Sequence, residues 1–300
     1  MGRNSQHRRT VHPVRYDGVR AKKALGQHFL RDEDIAIEIV DSLLIPETGL
    51  DENPTVESGV NVLEIGPGTG VLTNYLLMDK RINLSLCEID QESIDKLRDR
   101  FPQFLYTLQQ RDFLKSNLEE IYPSETEIKK GTNGNEVYII GNFPYNISSQ
   151  IFFKILEDRD RVTQVVCMLQ KEVAERLASD AGGKDYGILS VLLQCWYDIE
   201  YLFTVDESAF VPPPKVKSGV IRLWRNTRES LGCDEQLFKS VVKTTFGQRR
   251  KTVRNSIKSI TSDLSPKAKE VLEKSPYLDK RPEQLGVEDF IELTKILEQK

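Results

Sequence analysis

Cysteine is scarce in this 300-residue chain: there are four, Cys87, Cys167, Cys195 and Cys233. They have no paired spacing and no matching histidines, which argues against a zinc site, any other metal centre or a disulfide framework. Such usage fits a reducing compartment, with the cytoplasm as the default. No apolar run approaches the length of a membrane span, and the first residues lack a secretory apolar stretch. No Lys-Ser or Lys-Thr pair follows the glycines at 66–70, which argues against a phosphate-gripping P-loop. Overall positive charge is missing too. The formal net charge is −4 and the pI about 5.7, values that by themselves do not suggest a nucleic-acid partner.

The average hides an asymmetry. Arg3, Arg8, Arg9, Arg15, Arg20, Lys22, Lys23 and Arg31 face a single acid, Asp17, whereas residues 32–57 hold many acids and neither Lys nor Arg. From Lys243 to Lys258 the chain has no acid at all, and Lys243, Arg249, Arg250, Lys251 and Arg254 fall in that stretch. A charge run is usually solvated surface, but local patches rather than the sum set phosphate attraction, and this one favours an RNA-phosphate face.

Three hundred residues suffice for one large domain and a smaller one. Apolar runs at 60–65, 82–87, 104–109, 137–140 and 163–169 predict strands, and helical patterns alternate with them, so the fold class is α/β: a doubly wound, Rossmann-like sheet. Residues 198–205 and 219–224 predict a late hairpin closing that sheet, and from Asp234 the chain reads as helices. The polar segment 123–135 reads as a surface loop, and residues 1–20 as a flexible tail.

The fourth strand exits into Gly141-Asn142-Phe143-Pro144-Tyr145. Carboxyl ends of strands are where open α/β sheets place ligands, and Pro144 stiffens the turn. An amide, a free carbonyl and a flat ring on one rigid turn can hold a planar, amino-bearing ring; an ordinary strand-exit turn uses the same residue types. Upstream, Glu64 precedes Gly66-Pro67-Gly68-Thr69-Gly70 by two residues. This spacing departs from the dinucleotide G-x-G-x-x-G and matches the Glu/Asp-x-Gly-x-Gly-x-Gly form favoured by methyltransferases using S-adenosylmethionine (AdoMet). Glu88 ends the second strand about 20 residues later, where a carboxylate can accept both ribose hydroxyls. Asp112, at the third strand's exit, can accept an adenine amino group or simply cap the next turn. Phe210 stands before three prolines, either as a core aromatic or as a ring beside a cleft. Nothing local gives His28 a proton partner.

Taken in order, Leu25-Gly26-Gln27-His28-Phe29-Leu30, Glu64 to Gly70, Glu88, Asp112, Asn142-Phe143-Pro144-Tyr145, Phe210 to Ser218 and Thr245 to Ser256 resemble the KsgA-type ribosomal RNA adenine N6-dimethyltransferases, over roughly residues 21–260. Most bacterial members carry Asn where this chain has His28, and the basic segment before Lys22 is longer than usual. With residues 1–21 read as a basic flexible tail, the resemblance implies an AdoMet-binding domain over 22–228 and a helical RNA-docking domain over 229–300. Gln27, His28, Leu30, Gly66, Gly68, Glu88, Asp112 and Asn142 would line AdoMet. The substrate would be 16S rRNA in the small ribosomal subunit, dimethylated at two adjacent adenosines of its 3′-terminal hairpin, by an enzyme that is a monomer by default. Asn142 and Pro144 would act on the adenine nitrogen, with the base held between Tyr145 and Phe210. The related 23S rRNA methyltransferases and a noncatalytic ribosome-assembly factor are the competing readings.

Overall fold

The computed structural model describes residues 14–46, 59–122 and 136–299. The loop expected at 123–135 and the first thirteen residues of the expected tail lie outside the described residues. In chain order the elements are β1 (Arg15–Tyr16), β2 (Val19–Arg20), β3 (Phe29–Leu30), α1 (Glu33–Asp41), β4 (Val60–Ile65), α2 (Val71–Leu76), β5 (Ile82–Glu88), α3 (Gln91–Arg100) and β6 (Leu108–Gln110). There follow α4 (Leu118–Ile121), β7 (Val137–Asn142), α5 (Ser148–Glu157), β8 (Val162–Gln170), α6 (Lys171–Leu177), α7 (Ile188–Gln194), β9 (Tyr197–Val205), β10 (Phe210–Val211) and β11 (Ser218–Arg225). Four helices close the chain: α8 (Glu235–Gly247), α9 (Val253–Ser256), α10 (Pro266–Glu273) and α11 (Val287–Leu297).

Among the described residues, seven strands form the main sheet in the order β6-β5-β4-β7-β8-β11-β9. The first five run parallel, and β11 lies antiparallel between β8 and β9 as the expected late hairpin. Along β8, Val165, Cys167 and Leu169 face one core cluster while Val166 and Met168 face the other. Both faces are buried, which is why these strands read as continuous apolar runs. Apolar side chains of α5, α7, α8 and α11 join the first cluster, so the C-terminal helices share a core with one face of the sheet. The second cluster lies under α1 and α2.

Order reverses at β4. The chain goes to β5 and β6 on one side, then returns to β7 on the other, and the gap between β4 and β7 is a topological switch point. Their carboxyl ends carry the Gly66 turn and the Asn142 turn. The two backbones press together there: a Cβ on Gly141 would sit 2.5 Å from the Ile65 carbonyl oxygen. Only glycine fits this close approach.

Two expectations need correction. The third strand starts at Leu108, not Phe104, because Pro102–Thr107 wind into 3-10 turns after the helix-ending Phe101-Pro102. A short apolar run does not distinguish strand from helical turn, and β6 sits at the sheet edge, pairing over three residues only. The tail reading fails for its last part, since Arg15–Arg20 form a hairpin around Asp17-Gly18, both at positive φ (49° and 86°). Asp-Gly is the residue pair such turns favour. The hairpin is fastened to α3: the Arg20 N–H donates to Glu92 at 3.0 Å, Lys96 pairs with Asp17 at 2.8 Å, and Val19 is buried.

Candidate active site

A cavity of about 280 Å³ opens at the switch point. Gln27, His28, Leu30, Gly66, Gly68, Glu88, Asp112, Asn142, Pro144 and Tyr145 all line it, brought together from the ends of four parallel strands and the segment before α1.

The glycine turn and Glu88 form one unit. Gly68, at φ 58°, turns its N–H to the Glu88 carboxylate at 3.0 Å, and the N–H groups of Ile89 and Asp90 donate to the other oxygen at 2.8 Å each. Burial pushes the Glu88 pKa up, against the pull of these three donors. Beneath the turn, Glu64 is fully buried and accepts from Thr73 Oγ1 at 2.6 Å; burial, opposed by that bond and reinforced by the charge of Glu88, pushes its pKa up to about 8. Asp112 takes the Leu114 N–H at 3.1 Å, so it caps the following turn while still facing the cavity.

Lys22 and Gln27 anchor the opposite wall. Gln27 Oε1 accepts from the Lys22 backbone at 2.8 Å, and Gln27 Nε2 donates to Asp90 at 2.9 Å, where the Lys22 ammonium also bonds. Burial raises the Asp90 pKa and these partners more than offset it, holding it below the usual carboxylate range.

On the β7 turn, Asn142 Nδ2 donates to the His28 carbonyl oxygen at 2.9 Å. That bond fixes the amide's orientation and leaves Oδ1 without a donor among the described residues. The Pro144 carbonyl already accepts the Ile147 N–H at 3.1 Å, and its second lone pair remains. Phe143 is fully buried against Phe152 and is core filler. The Tyr145 hydroxyl bonds Ser218 Oγ at 2.6 Å, and its ring stacks with His28 at a centroid distance of 5.6 Å. His28 Nδ1 meets the Pro212 carbonyl at 2.8 Å, a partner 184 residues away that no local pattern reveals.

Phe210 does not join the cavity. Its pairing with Leu30 across β10 and β3 directs the ring into the core with Ala36 and Ile39, leaving it 2% exposed. The core-aromatic reading holds for this ring.

The basic run also divides. Arg249 pairs with Glu283 at 3.8 Å and donates to the Lys184 carbonyl, and Arg254 bridges Glu273 and Asp279. These two guanidinium groups join segments of the fold. Lys243 extends over the Phe153 ring. Arg250 and Lys251 are exposed and make no ion pair among the described residues.

The family model "Ribosomal RNA adenine dimethylase" matches residues 18–296. A ribosomal RNA small subunit methyltransferase A of Parabacteroides distasonis is 51% identical over 278 residues, 93% of this chain and 94% of its own. The protein of the same name from Porphyromonas gingivalis is 52% identical, covering 94% of this chain and 99% of its own. Among solved structures, a dimethyladenosine transferase from Plasmodium falciparum superposes with a TM-score of 0.69 at 24% identity, over 89% of this chain and 96% of its own. The 23S rRNA methyltransferase ErmE gives 0.60 at 23%, over 90% and 100%. Those two likenesses bear on the fold, and they agree with the Rossmann-like sheet and helical C-terminal region.

Proposed function

The chain belongs to the ribosomal RNA adenine dimethylase family, and from that premise we propose that it dimethylates N6 of two adjacent adenosines in the 3′-terminal hairpin of 16S rRNA during small-subunit assembly in the cytoplasm. One observation carries the reading: Asn142, locked through its nitrogen, keeps an amide oxygen that has no donor among the described residues, in the cavity that Pro144, Tyr145 and the glycine turn also line.

The cavity fits AdoMet, the methyl donor of this enzyme class. A Cβ on Gly66 would meet nothing within 4 Å, so the turn leaves room for a ligand, and Glu88, in the same lining, would grip the ribose hydroxyls. Gly66, Gly68, Glu88 and Asp112 would hold the donor, with the backbone of the Gln27–Leu30 segment across from them. When bound, it supplies an electrophilic methyl group on a sulfonium.

The remaining chemistry belongs to the chain. Adenine must leave its stack to reach the Asn142 turn. Tyr145 offers a ring for it to rest on, a contact worth on the order of 1–3 kcal/mol per base. Asn142 Oδ1 and the Pro144 carbonyl accept the two amino hydrogens. The nitrogen lone pair, otherwise delocalised into the purine, is thereby localised for attack. No side-chain base is required early, because the proton becomes acidic as the new N–C bond forms. Catalysis rests on positioning and fixed dipoles. The helical segment from residue 229 onward would dock RNA, with the protein acting as a monomer and without metal.

The test is to incubate unmethylated small subunits with the protein and labelled AdoMet, then map the modified bases. Label on two adjacent adenosines near the 3′ end of 16S rRNA is expected. Label in 23S rRNA, or none, overturns the proposal.

A further inference from the structure

Three segments far apart in the chain meet at His28. Its Nδ1 lies 2.8 Å from the Pro212 carbonyl oxygen. A carbonyl only accepts, so Nδ1 carries the hydrogen and the neutral ring keeps its lone pair on Nε2. The same ring lies against Tyr145, centroids 5.6 Å apart and planes inclined by 24°. Tyr145 is held at its other end by the 2.6 Å bond to Ser218. Its ring is therefore fixed both at the tip and on one side. Backbone and side chain of His28 divide their work: the carbonyl oxygen orients Asn142, and the imidazole contacts Tyr145 and Pro212. Among the described residues, the imidazole makes no hydrogen bond to the glycine turn, Glu88 or Asp112, the groups assigned to the methyl donor.

We infer that the His28 side chain is a positioning residue for the target base, acting through Tyr145. It sets the tilt of the ring on which adenine rests and ties that ring to the segment between Phe210 and Ser218. The inference rests on the proposed adenine site and adds the residue that aligns it.

Three variants separate the stack from the hydrogen bond. His28→Phe keeps a ring and loses the donor, His28→Asn keeps a donor and loses the ring, and His28→Ala loses both. Wild-type activity on small subunits is established first, since failure there counts against the proposed function and not against this step. His28→Asn and His28→Ala are expected to raise KM for small subunits about fivefold, the size of one aromatic contact. His28→Phe restores most of that loss, and AdoMet affinity measured by calorimetry stays within about twofold in all three. A KM restored by Asn but not by Phe, or an equal loss of AdoMet affinity in all three, overturns the inference.

A second readout needs no substrate and decides the matter should a variant fail to fold. In nuclear magnetic resonance spectra of the free protein, the His28 ring should appear as the Nδ1–H tautomer. Its Cε1 proton should shift when Tyr145→Leu removes the neighbouring ring. An Nε2–H tautomer together with an unmoved Cε1 proton overturns it.

Discussion

The cavity at the switch point and the basic run at 243–258 are equally conspicuous as sequence patterns, yet the fold treats them differently. Ten predicted residues converge on the cavity. Of the five predicted RNA-binding cations, Arg249 and Arg254 are committed to ion pairs within the protein. The difference lies in what each pattern depends on. A glycine spacing or an Asn-x-Pro-Tyr turn encodes backbone shape, which is settled within a few residues. The availability of a cation depends on acids elsewhere, here Glu273, Asp279 and Glu283, which the run itself does not contain.

The sharpest way to break the comparison is at Asn142. If its amide oxygen is the preorganised acceptor that the cavity is built around, Asn142→Ala should lower kcat on small subunits by on the order of 10²–10³, the loss typical of removing one aligned polar group. AdoMet affinity should fall only modestly, because Glu88 and the Gly68 turn hold each other without Asn142. Near-normal turnover would remove the amide from the mechanism and leave the turn as a shape alone.

A second, smaller effect is expected beneath the same turn. Glu64 has a folded pKa of about 8 against an ordinary 4.5. Between those values the folded protein keeps a proton that the unfolded chain has released, so this group makes stability fall as pH rises from 4.5 toward 8. Each unit of pH in that window costs up to about 1.4 kcal/mol. Glu64→Gln stays neutral throughout and can still accept from Thr73. In urea titrations the variant should match wild type most nearly near pH 5 and exceed it by on the order of 2 kcal/mol near pH 8. A gap that does not widen with pH would mean that Glu64 is ionised in the folded state.

Legibility follows the same division. The parallel strands, the reversal at β4 and the pairing of the Gly66 and Asn142 turns are readable because buried strands announce themselves as apolar runs, and ligands gather at their carboxyl ends. Leu108–Gln110 is misread at its start because Phe104 to Thr107 is short and apolar, a pattern that 3-10 turns share. The Arg15–Arg20 hairpin escapes notice although Asp17-Gly18 advertises it; the surrounding arginines make the segment look like tail. Phe210 and His28 are beyond reach for another reason. Which way the Phe210 ring points is set by its ladder with Leu30, and the partner of His28 by the Pro212 carbonyl, pairings that span 180 residues or more.

The smallest expected effect tests the basic run directly. Arg250 and Lys251 are exposed and lack ion-pair partners among the described residues, so no acid within the described fold takes up their charges. Removing one phosphate-binding cation should flatten the plot of log affinity against log salt by roughly 0.7–0.9, so the double variant Arg250→Ala/Lys251→Ala should reduce the slope by about 1.5. Arg254→Ala removes one cation of the same run but takes it from Glu273 and Asp279. That change should lower the melting temperature slightly and leave the salt slope for small subunits near that of wild type. If instead Arg254→Ala flattens the slope as Arg250→Ala does, the guanidinium leaves its acids when RNA arrives, and paired charges in this run are a reserve for binding. The two outcomes assign opposite roles to the same residue, and a salt titration with the single variants distinguishes them.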